Sequence, residues 1–185
     1  EELRKRADLA MYQAKAAGRN TQRFFDPDMQ AAVNARSNLE ADLRQGLVRG
    51  ELCVHYQPVV DHHARLVGVE ALVRWHHPER GMVSPGDFIP LAEQTGLILP
   101  LGQFVLQTAC EQLQCWSGHE ATRNLSIAVN VSARQFRQPD FVGGVLQTLA
   151  NCGANPAKLT LELTERLLLG DIEDTIERMG QLKRE

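Results

Sequence analysis

Three oxygen-bearing side chains occupy comparable positions in three segments that have the pattern of β-strands. Glu70, Asn130 and Glu162 lie near the carboxyl ends of runs that are otherwise apolar at alternate positions. Two carboxylates and an amide oxygen form the donor set that hard divalent cations such as Mg²⁺ or Mn²⁺ prefer. We therefore predict a divalent-metal site formed by these three residues.

The alternation within these runs indicates which side chains share a face, because residues two apart in a strand point to the same side. Each run has one apolar face, suited to a helix layer, and one face with a single strong oxygen ligand. In parallel α/β folds, ligands bind at the carboxyl ends of the strands. The alternative is that the polar faces simply meet water, as in an antiparallel sheet. The apolar faces are Val67, Val69, Ala71 and Val73; Ile127, Val129 and Val131; and Leu159, Leu161 and Leu163.

Arg74 lies on the same face of its run as Glu70, four residues further on. Their Cα atoms are predicted to be about 13 Å apart, at about 3.3 Å per residue. This distance is too long for a tight ion pair, but it allows one residue to hold a metal while the other binds a phosphate. A guanidinium group matches the geometry of phosphate oxygens. The alternative is a solvated surface arginine that precedes Trp75.

The order of elements predicts an α/β fold. A helical pattern over residues 1–17 is followed by a second helix that begins at Asp26-Pro27 and ends at Gly50. Leu52–Val60 and Leu66–Trp75 then have the composition of a β-hairpin. Helices and strands alternate afterwards, which predicts a parallel sheet that opens with an antiparallel hairpin. The later segments are helices over about 84–96, 101–113 and 139–151, strands over 125–131 and 159–163, and a last helix from Asp171.

Composition narrows the class of protein. The chain has 185 residues and a net charge of −3, which gives no general attraction to a nucleic acid polymer. No apolar run approaches the roughly 20 residues that span a bilayer, and the charged stretch Glu1–Arg6 does not resemble a secretory signal. We expect no membrane contact by this segment. The predicted location is cytoplasmic, either alone or as the cytoplasmic part of a membrane-anchored sensor.

The cysteines and histidines do not form a recognisable metal motif in the sequence. The four cysteines are scattered without a C-x-x-C pair, which favours reduced thiols in or near the core over a zinc cage or a disulfide framework. The neighbouring pairs His62–His63 and His76–His77 fall at apparent strand ends. We predict that both pairs are solvated loop residues.

Several segments together resemble the EAL family. The run from Glu70 to Trp75, with the sequence EALVRW, resembles the motif that names the family. Four further segments match family blocks in the correct order: Tyr56-Gln57-Pro58, the stretch from Ser84 to Glu93, Asn130-Val131-Ser132, and Glu162-Leu163-Thr164-Glu165. A single EAL tripeptide would carry no weight, whereas five ordered blocks identify a specific family resemblance from about Leu39 onward.

The resemblance implies a fold and an activity. The fold would be a TIM-type (β/α)₈ barrel with an antiparallel first strand, only partly covered by this chain and preceded by a linker helix. The activity would be hydrolysis of cyclic di-GMP to linear pGpG with two Mg²⁺ or Mn²⁺ ions. Residue by residue, Glu70, Asn130 and Glu162 match metal ligands, and Gln57 and Arg74 match substrate contacts. Glu165 matches a glutamate that steadies a catalytic loop.

The stretch from Ala7 to Asn20 is similar to the closing helix of GGDEF diguanylate cyclase domains. In that family the residues that match Lys15 and Arg19 contact nucleotide phosphates. The resemblance assigns residues 1–25 to the end of a GGDEF-like domain, 26–50 to a linker helix and 51–185 to an incomplete EAL domain. We expect no cyclase activity from this chain.

Three functional hypotheses follow. The leading one is a cyclic di-GMP phosphodiesterase, although the later Asp-Asp pair, lysine and glutamate of the family fall beyond Glu185, so little or no activity is expected from these 185 residues alone. The alternative is an inactive EAL module that binds cyclic di-GMP or a protein partner. A third hypothesis is a signalling segment that forms a homodimer through the helix over Asp26–Val48, whose apolar stripe includes Leu43.

Overall fold

The structure is a computed structural model that describes residues 27–163 and 172–182, together with Arg4, Ala7 and Met11. The chain divides into two compact units, residues 1–43 and residues 44–185. Within the first unit the described residues are helical. Most of the helix predicted over 1–17 lies outside the described residues, as does Glu165.

The first long element is helix α1, Pro27–Arg49. Its start at a proline and its end before Gly50 agree with the predicted helix. Gly50 has a φ of 72°, a left-handed conformation that glycine adopts readily and that commonly ends helices. Asp28 in the first turn and Arg49 in the last turn have charges that complement the helix dipole.

Strands β1, Leu52–Val60, and β2, Leu66–His77, form the predicted hairpin and pair antiparallel. The turn between them is held by Asp61, whose Oδ1 accepts hydrogen bonds from the backbone N–H groups of His63 at 2.8 Å and Arg65 at 2.9 Å. A short strand, β3, Gly81–Val83, pairs with the end of β2. The sequence did not predict β3, because three residues are too few to show an alternating pattern.

The remaining elements follow the predicted alternation of helices and strands. The predicted start of α2 is confirmed, since the Ser84 hydroxyl accepts a hydrogen bond from the Gly86 N–H at 3.2 Å, and Gly96, with φ 87°, ends the helix. Helix α4 and a 3₁₀ turn over Pro156–Lys158 were not predicted. The elements are α2 Pro85–Thr95, α3 Ile98–Ser117, β4 Ser126–Val131, α4 Ala133–Phe136, α5 Phe141–Cys152, β5 Leu159–Leu163 and α6 Ile172–Leu182.

The sheet has the strand order β1-β2-β4-β5, with β3 paired to β2. β1 runs antiparallel to β2, whereas β2–β4 and β4–β5 are parallel. The α/β class with a mixed sheet is therefore observed in the described part of the chain. Because β1 is reversed, its amino end lies beside the carboxyl ends of the other strands.

The core lies between the apolar face of the sheet and helices α3 and α5. Ile127 and Val129 of β4 are almost fully buried, and Ala109 and Cys110 of α3 pack in the same cluster. Fully burying a side chain of the size of Ile127 or Val129 stabilises a fold by about 1.5–3 kcal/mol. A one-residue slip in strand register would move these side chains to the opposite face, so the packing also fixes which side chains face away from the helices.

No described helix is, taken singly, both long enough and apolar enough to cross a membrane. Helices α2 and α3 meet the criteria of length and hydropathy only when they are treated as one segment, and that segment is bent by 120° between the two helices.

Candidate functional site

The three predicted oxygen ligands lie on one face of the sheet. Glu70 is the cross-strand neighbour of Ala128, and Asn130, two residues further along β4, is the neighbour of Glu162. Cross-strand neighbours and residues two apart share a face. Since β4 lies between β2 and β5, the amide of Asn130 stands between the two carboxylates.

Two of these side chains are in direct contact. Asn130 Nδ2 donates a hydrogen bond to Glu70 Oε1 at 2.6 Å. Glu70 is half-buried, whereas Asn130 and Glu162 are exposed. The polar face is therefore open to a ligand that approaches from solvent.

This donor set fits a hard divalent cation. Glu70 and Glu162 offer carboxylate oxygens, and Asn130 would offer Oδ1 once its amide turns over, because one end of the group is a donor and the other an acceptor. No thiol or imidazole belongs to this trio, and oxygen-only ligands suit Mg²⁺ or Mn²⁺.

Gln57 and Arg74 flank the carboxylates on the same face. Gln57 is the direct cross-strand neighbour of Glu70, and Arg74 lies four residues beyond Glu70 along β2. The Arg74 guanidinium donates a hydrogen bond from Nη1 to the carbonyl oxygen of Val73 at 2.9 Å. The structure thus brings five of the six predicted site residues onto one face, while Glu165 lies outside the described residues.

Trp75 anchors the end of β2. It is fully buried, its ring meets Phe88 edge-on at a centroid distance of 5.6 Å, and its Nε1 donates to Glu51 Oε2 at 3.1 Å. A Cβ added at Gly46 would lie 2.9 Å from the same Nε1. Neighbouring residues of a strand point to opposite faces, so the burial of Trp75 fixes Arg74 on the side of the oxygen ligands.

The segment after Asn130 is held by a capping box that was not predicted from the sequence. The Ser132 hydroxyl accepts from the Gln135 N–H at 3.2 Å, and Gln135 Oε1 accepts from the Ser132 N–H at 3.1 Å. Gly102 of α3 lies against the Gln135 side chain with no room for a Cβ. The signal was present as Ser-x-x-Gln after a strand, and it positions the carboxyl end of β4.

A second group of ligand atoms lies on the same face and was also missed. Cys53, His55 and His76 each have a potential ligand atom, and these atoms all lie within 4.8 Å of one another. The prediction that His76 and His77 are loop residues was wrong, because β2 continues through both and pairs with β3. The signal was the alternation of Cys53 and His55 opposite β2, but the pairing register was needed to place His76.

The strongest pKa shifts in the described residues lie on the helix side of the sheet. Burial raises the pKa of the Cys110 thiol to about 12, with smaller contributions from Cys152 and Glu111. Burial, with a smaller contribution from Glu111, also raises the pKa of Tyr56. The Tyr56 hydroxyl has no hydrogen-bond partner within the described residues. These groups belong to the packing layer and not to the polar face.

Comparison with known families agrees with this geometry. The EAL domain family matches residues 40–185, which is most of the chain. The chain therefore belongs to the EAL domain family.

Named relatives are similar over nearly the whole chain. The bifunctional diguanylate cyclase/cyclic di-GMP phosphodiesterase MucR of Pseudomonas aeruginosa is 43% identical over 184 residues, covering 98% of this chain and 26% of MucR. The cyclic di-GMP phosphodiesterase PdeR of Escherichia coli K12 is 37% identical over 179 residues, covering 95% of this chain and 27% of PdeR. The chain spans about a quarter of the length of the curated relatives it matches.

Solved structures have the same fold. The PaMucR phosphodiesterase in complex with c-di-GMP superposes with a TM-score of 0.74 at 42% identity, covering 80% of this chain and 60% of that one. The EAL enzyme Bd1971 with cAMP and cyclic-di-GMP gives a TM-score of 0.77 at 26% identity, covering 98% and 48%.

Proposed function

We propose that the protein containing this chain is a phosphodiesterase that hydrolyses cyclic di-GMP to linear pGpG. The observation that carries the proposal is the shared open face of Glu70, Asn130 and Glu162, with Gln57 and Arg74 beside them. Membership of the EAL domain family supports it. So does the high identity to MucR and PdeR, both of which are named as cyclic di-GMP phosphodiesterases.

The proposed metal ligands are Glu70, Glu162 and the amide oxygen of Asn130. Two Mg²⁺ or Mn²⁺ ions, when bound, would polarise phosphoryl oxygens and lower the pKa of a bound water. The two carboxylates supply the negative charge that holds such ions on an otherwise solvated face. The hydrogen bond between Asn130 and Glu70 orients one carboxylate before any ion arrives.

The neighbouring residues would bind the substrate. Arg74 is half-buried at the end of β2 and held in place by the burial of Trp75, so its guanidinium is suited to a phosphate of the cyclic dinucleotide. Gln57, exposed beside Glu70, offers an amide that both donates and accepts hydrogen bonds. Glu165 is proposed to steady a loop near the metals.

The proposal extends to the wider architecture. An antiparallel β1 followed by parallel strands with helices between them supports a (β/α)₈ barrel with a reversed first strand. We assign residues 51–185 to that domain, 26–50 to a linker helix and 1–25 to the end of a GGDEF-like domain. A cytoplasmic location and a homodimer formed through the linker helix are part of the same proposal.

Product formation tests the function directly. The purified full-length protein that contains this chain would be incubated with cyclic di-GMP and Mg²⁺, and pGpG would be measured by chromatography with and without a chelator. We expect pGpG only when the metal is present, and its loss in Glu70→Gln. Glu79→Gln, an exposed turn carboxylate, is the matched control and should keep full activity. Binding of cyclic di-GMP by the unaltered protein without any pGpG would refute the hydrolase and favour a receptor.

A further inference from the structure

The thiol and the two imidazoles on the β1–β2 hairpin form a group of ligands separate from the oxygen trio. Cys53 is the cross-strand neighbour of Arg74, and His55 is the neighbour of Leu72. His76 lies two residues beyond Arg74 on the same strand and therefore on the same face. All three ligand atoms lie within 4.8 Å of one another.

The spacing of these atoms is close to what a single ion requires. Zn–S distances of about 2.3 Å and Zn–N distances of about 2.0–2.1 Å, at tetrahedral angles, place ligand atoms about 3.3–3.6 Å apart. The imidazole rings of His55 and His76 have a centroid separation of 6.3 Å. Small side-chain rotations would bring the three atoms to bonding distance while the hydrogen-bonded backbone pairing of β1 and β2 stays unchanged.

The ligand atoms of this cluster favour a different metal ion from the one that the oxygen trio favours. Imidazole nitrogen and thiolate sulfur suit borderline ions such as Zn²⁺, whereas Mg²⁺ and Mn²⁺ prefer oxygen. Both histidines are exposed and Cys53 is half-buried. An ion can therefore reach the cluster from solvent.

We propose that Cys53, His55 and His76 form a Zn²⁺ site, with three protein ligands and a fourth position taken by water or another small ligand. The ion would link β1 to the end of β2. It would lie close to Arg74, which is the cross-strand neighbour of Cys53. The site depends only on the hairpin geometry and stands whether or not the protein hydrolyses cyclic di-GMP.

Cobalt substitution tests the site without any activity assay. The purified protein would be titrated with Co²⁺ under reducing conditions, then with Zn²⁺ in competition. We expect one thiolate-bound Co²⁺ per chain, seen as a thiolate-to-cobalt charge-transfer band with the visible bands of a tetrahedral complex. Zn²⁺ should remove both features, and excess Mg²⁺, which competes only for the oxygen trio, should leave them unchanged. A spectrum without the thiolate band would overturn the proposal.

Two ligand variants and two controls complete the test. Loss of a group that only supports a ligand weakens metal binding about 10–100-fold, so Cys53→Ser and His76→Ala should each weaken Zn²⁺ binding by at least about 10-fold. Cys115→Ser and His62→Ala alter an exposed thiol and an exposed imidazole outside the cluster and should bind as the unaltered protein does. Circular dichroism confirms that each variant is folded. Equal Zn²⁺ affinity in folded Cys53→Ser, or weakening by His62→Ala alone, would place the ion elsewhere.

Discussion

Asn130 donates its side-chain amide to the carboxylate of Glu70 at 2.6 Å, although the two residues are 60 positions apart. The contact joins two parallel strands through their polar faces. Asn130 thus holds the side chain of Glu70, and both residues are proposed metal ligands. A change at Asn130 should therefore alter both the stability of the protein and the extent to which Mg²⁺ stabilises it.

Asn130→Asp should destabilise the metal-free protein. The substitution replaces the donor to Glu70 with a second negative charge, and losing an exposed hydrogen bond of this kind costs about 0.5–1.5 kcal/mol. A bound cation would reverse the repulsion, because opposite charge favours ionised carboxylates. We therefore expect a lower melting temperature without Mg²⁺ and a larger rise on adding Mg²⁺ than in the unaltered protein. Asn124→Asp, an exposed turn residue, is the control. A variant that Mg²⁺ leaves unstabilised would remove Asn130 from the proposed metal site.

Arg74→Lys should weaken substrate binding more than it lowers turnover. Lysine keeps the charge but loses the planar fork that contacts two oxygens at once. A tenfold fall in kcat/KM corresponds to about 1.4 kcal/mol of lost transition-state binding, and we expect a change of about that size, mostly in KM. Steady-state kinetics with cyclic di-GMP would measure it. Arg123→Lys changes an exposed turn arginine and should have no effect; equal kinetics in both variants would show that Arg74 does not contact the substrate.

Gly102→Ala should destabilise the protein even though alanine is the better helix former. A Cβ at this position overlaps the amide end of the Gln135 side chain, which would have to turn away and give up its hydrogen bond from the Ser132 N–H. Loss of a helix cap typically costs about 0.5–2 kcal/mol. The same substitution at Gly144 in α5 meets no atom within 4 Å and should stabilise by about 0.5–1 kcal/mol. Urea denaturation of the two variants measures the contrast. A stabilised Gly102→Ala would show that the capping box can shift without loss.

The thiols should differ sharply in reactivity. The pKa of Cys110 is raised by burial to about 12 from an ordinary value of 9.0, so at neutral pH almost no thiolate is present, whereas Cys115 is exposed. We expect alkylation of Cys115 in the folded protein and of Cys110 only after unfolding, as mass spectrometry of modified peptides would reveal.

The same shift has a pH consequence. The folded state disfavours the Cys110 thiolate. The contribution of the protonated Cys110 side chain to the free energy of unfolding is therefore complete below about pH 9, and it declines as the pH rises from about 9 towards 12. Cys110→Ala should flatten that part of the curve of unfolding free energy against pH. An unchanged slope would contradict the assignment.

The alternating strands were predictable from the sequence because a buried face imposes a period of two. The alternation of apolar Val69 and Ala71 with Glu70 predicts both a strand and which of its faces is buried. Ile127 and Val129 predict the same for the strand β4. Their common face followed from parity alone. The hydrogen bond from Asn130 to Glu70 could not follow, because it depends on how far one strand is shifted along the other.

Elements that depend on tertiary pairing were not predicted. Strand β3 exists because Val83 pairs with Trp75, and nothing in three residues indicates that partner. The same pairing extends β2 through His76, which the local pattern had placed in a loop. The grouping of Cys53, His55 and His76 then requires the register of the hairpin, which the local sequence of either strand does not contain.

The reversal of β1 has a consequence for how the end of α1 is connected to the proposed site. A first strand running with the others would leave the incoming helix at the far end of the sheet. The reversed strand instead places Gly46 in the last helical turn, and Glu51 just after that turn, directly against Trp75, whose chain neighbour is Arg74. A twist or shift of that turn would therefore reach Arg74, the proposed phosphate contact, across one aromatic ring, with no need to travel through the interior of the domain.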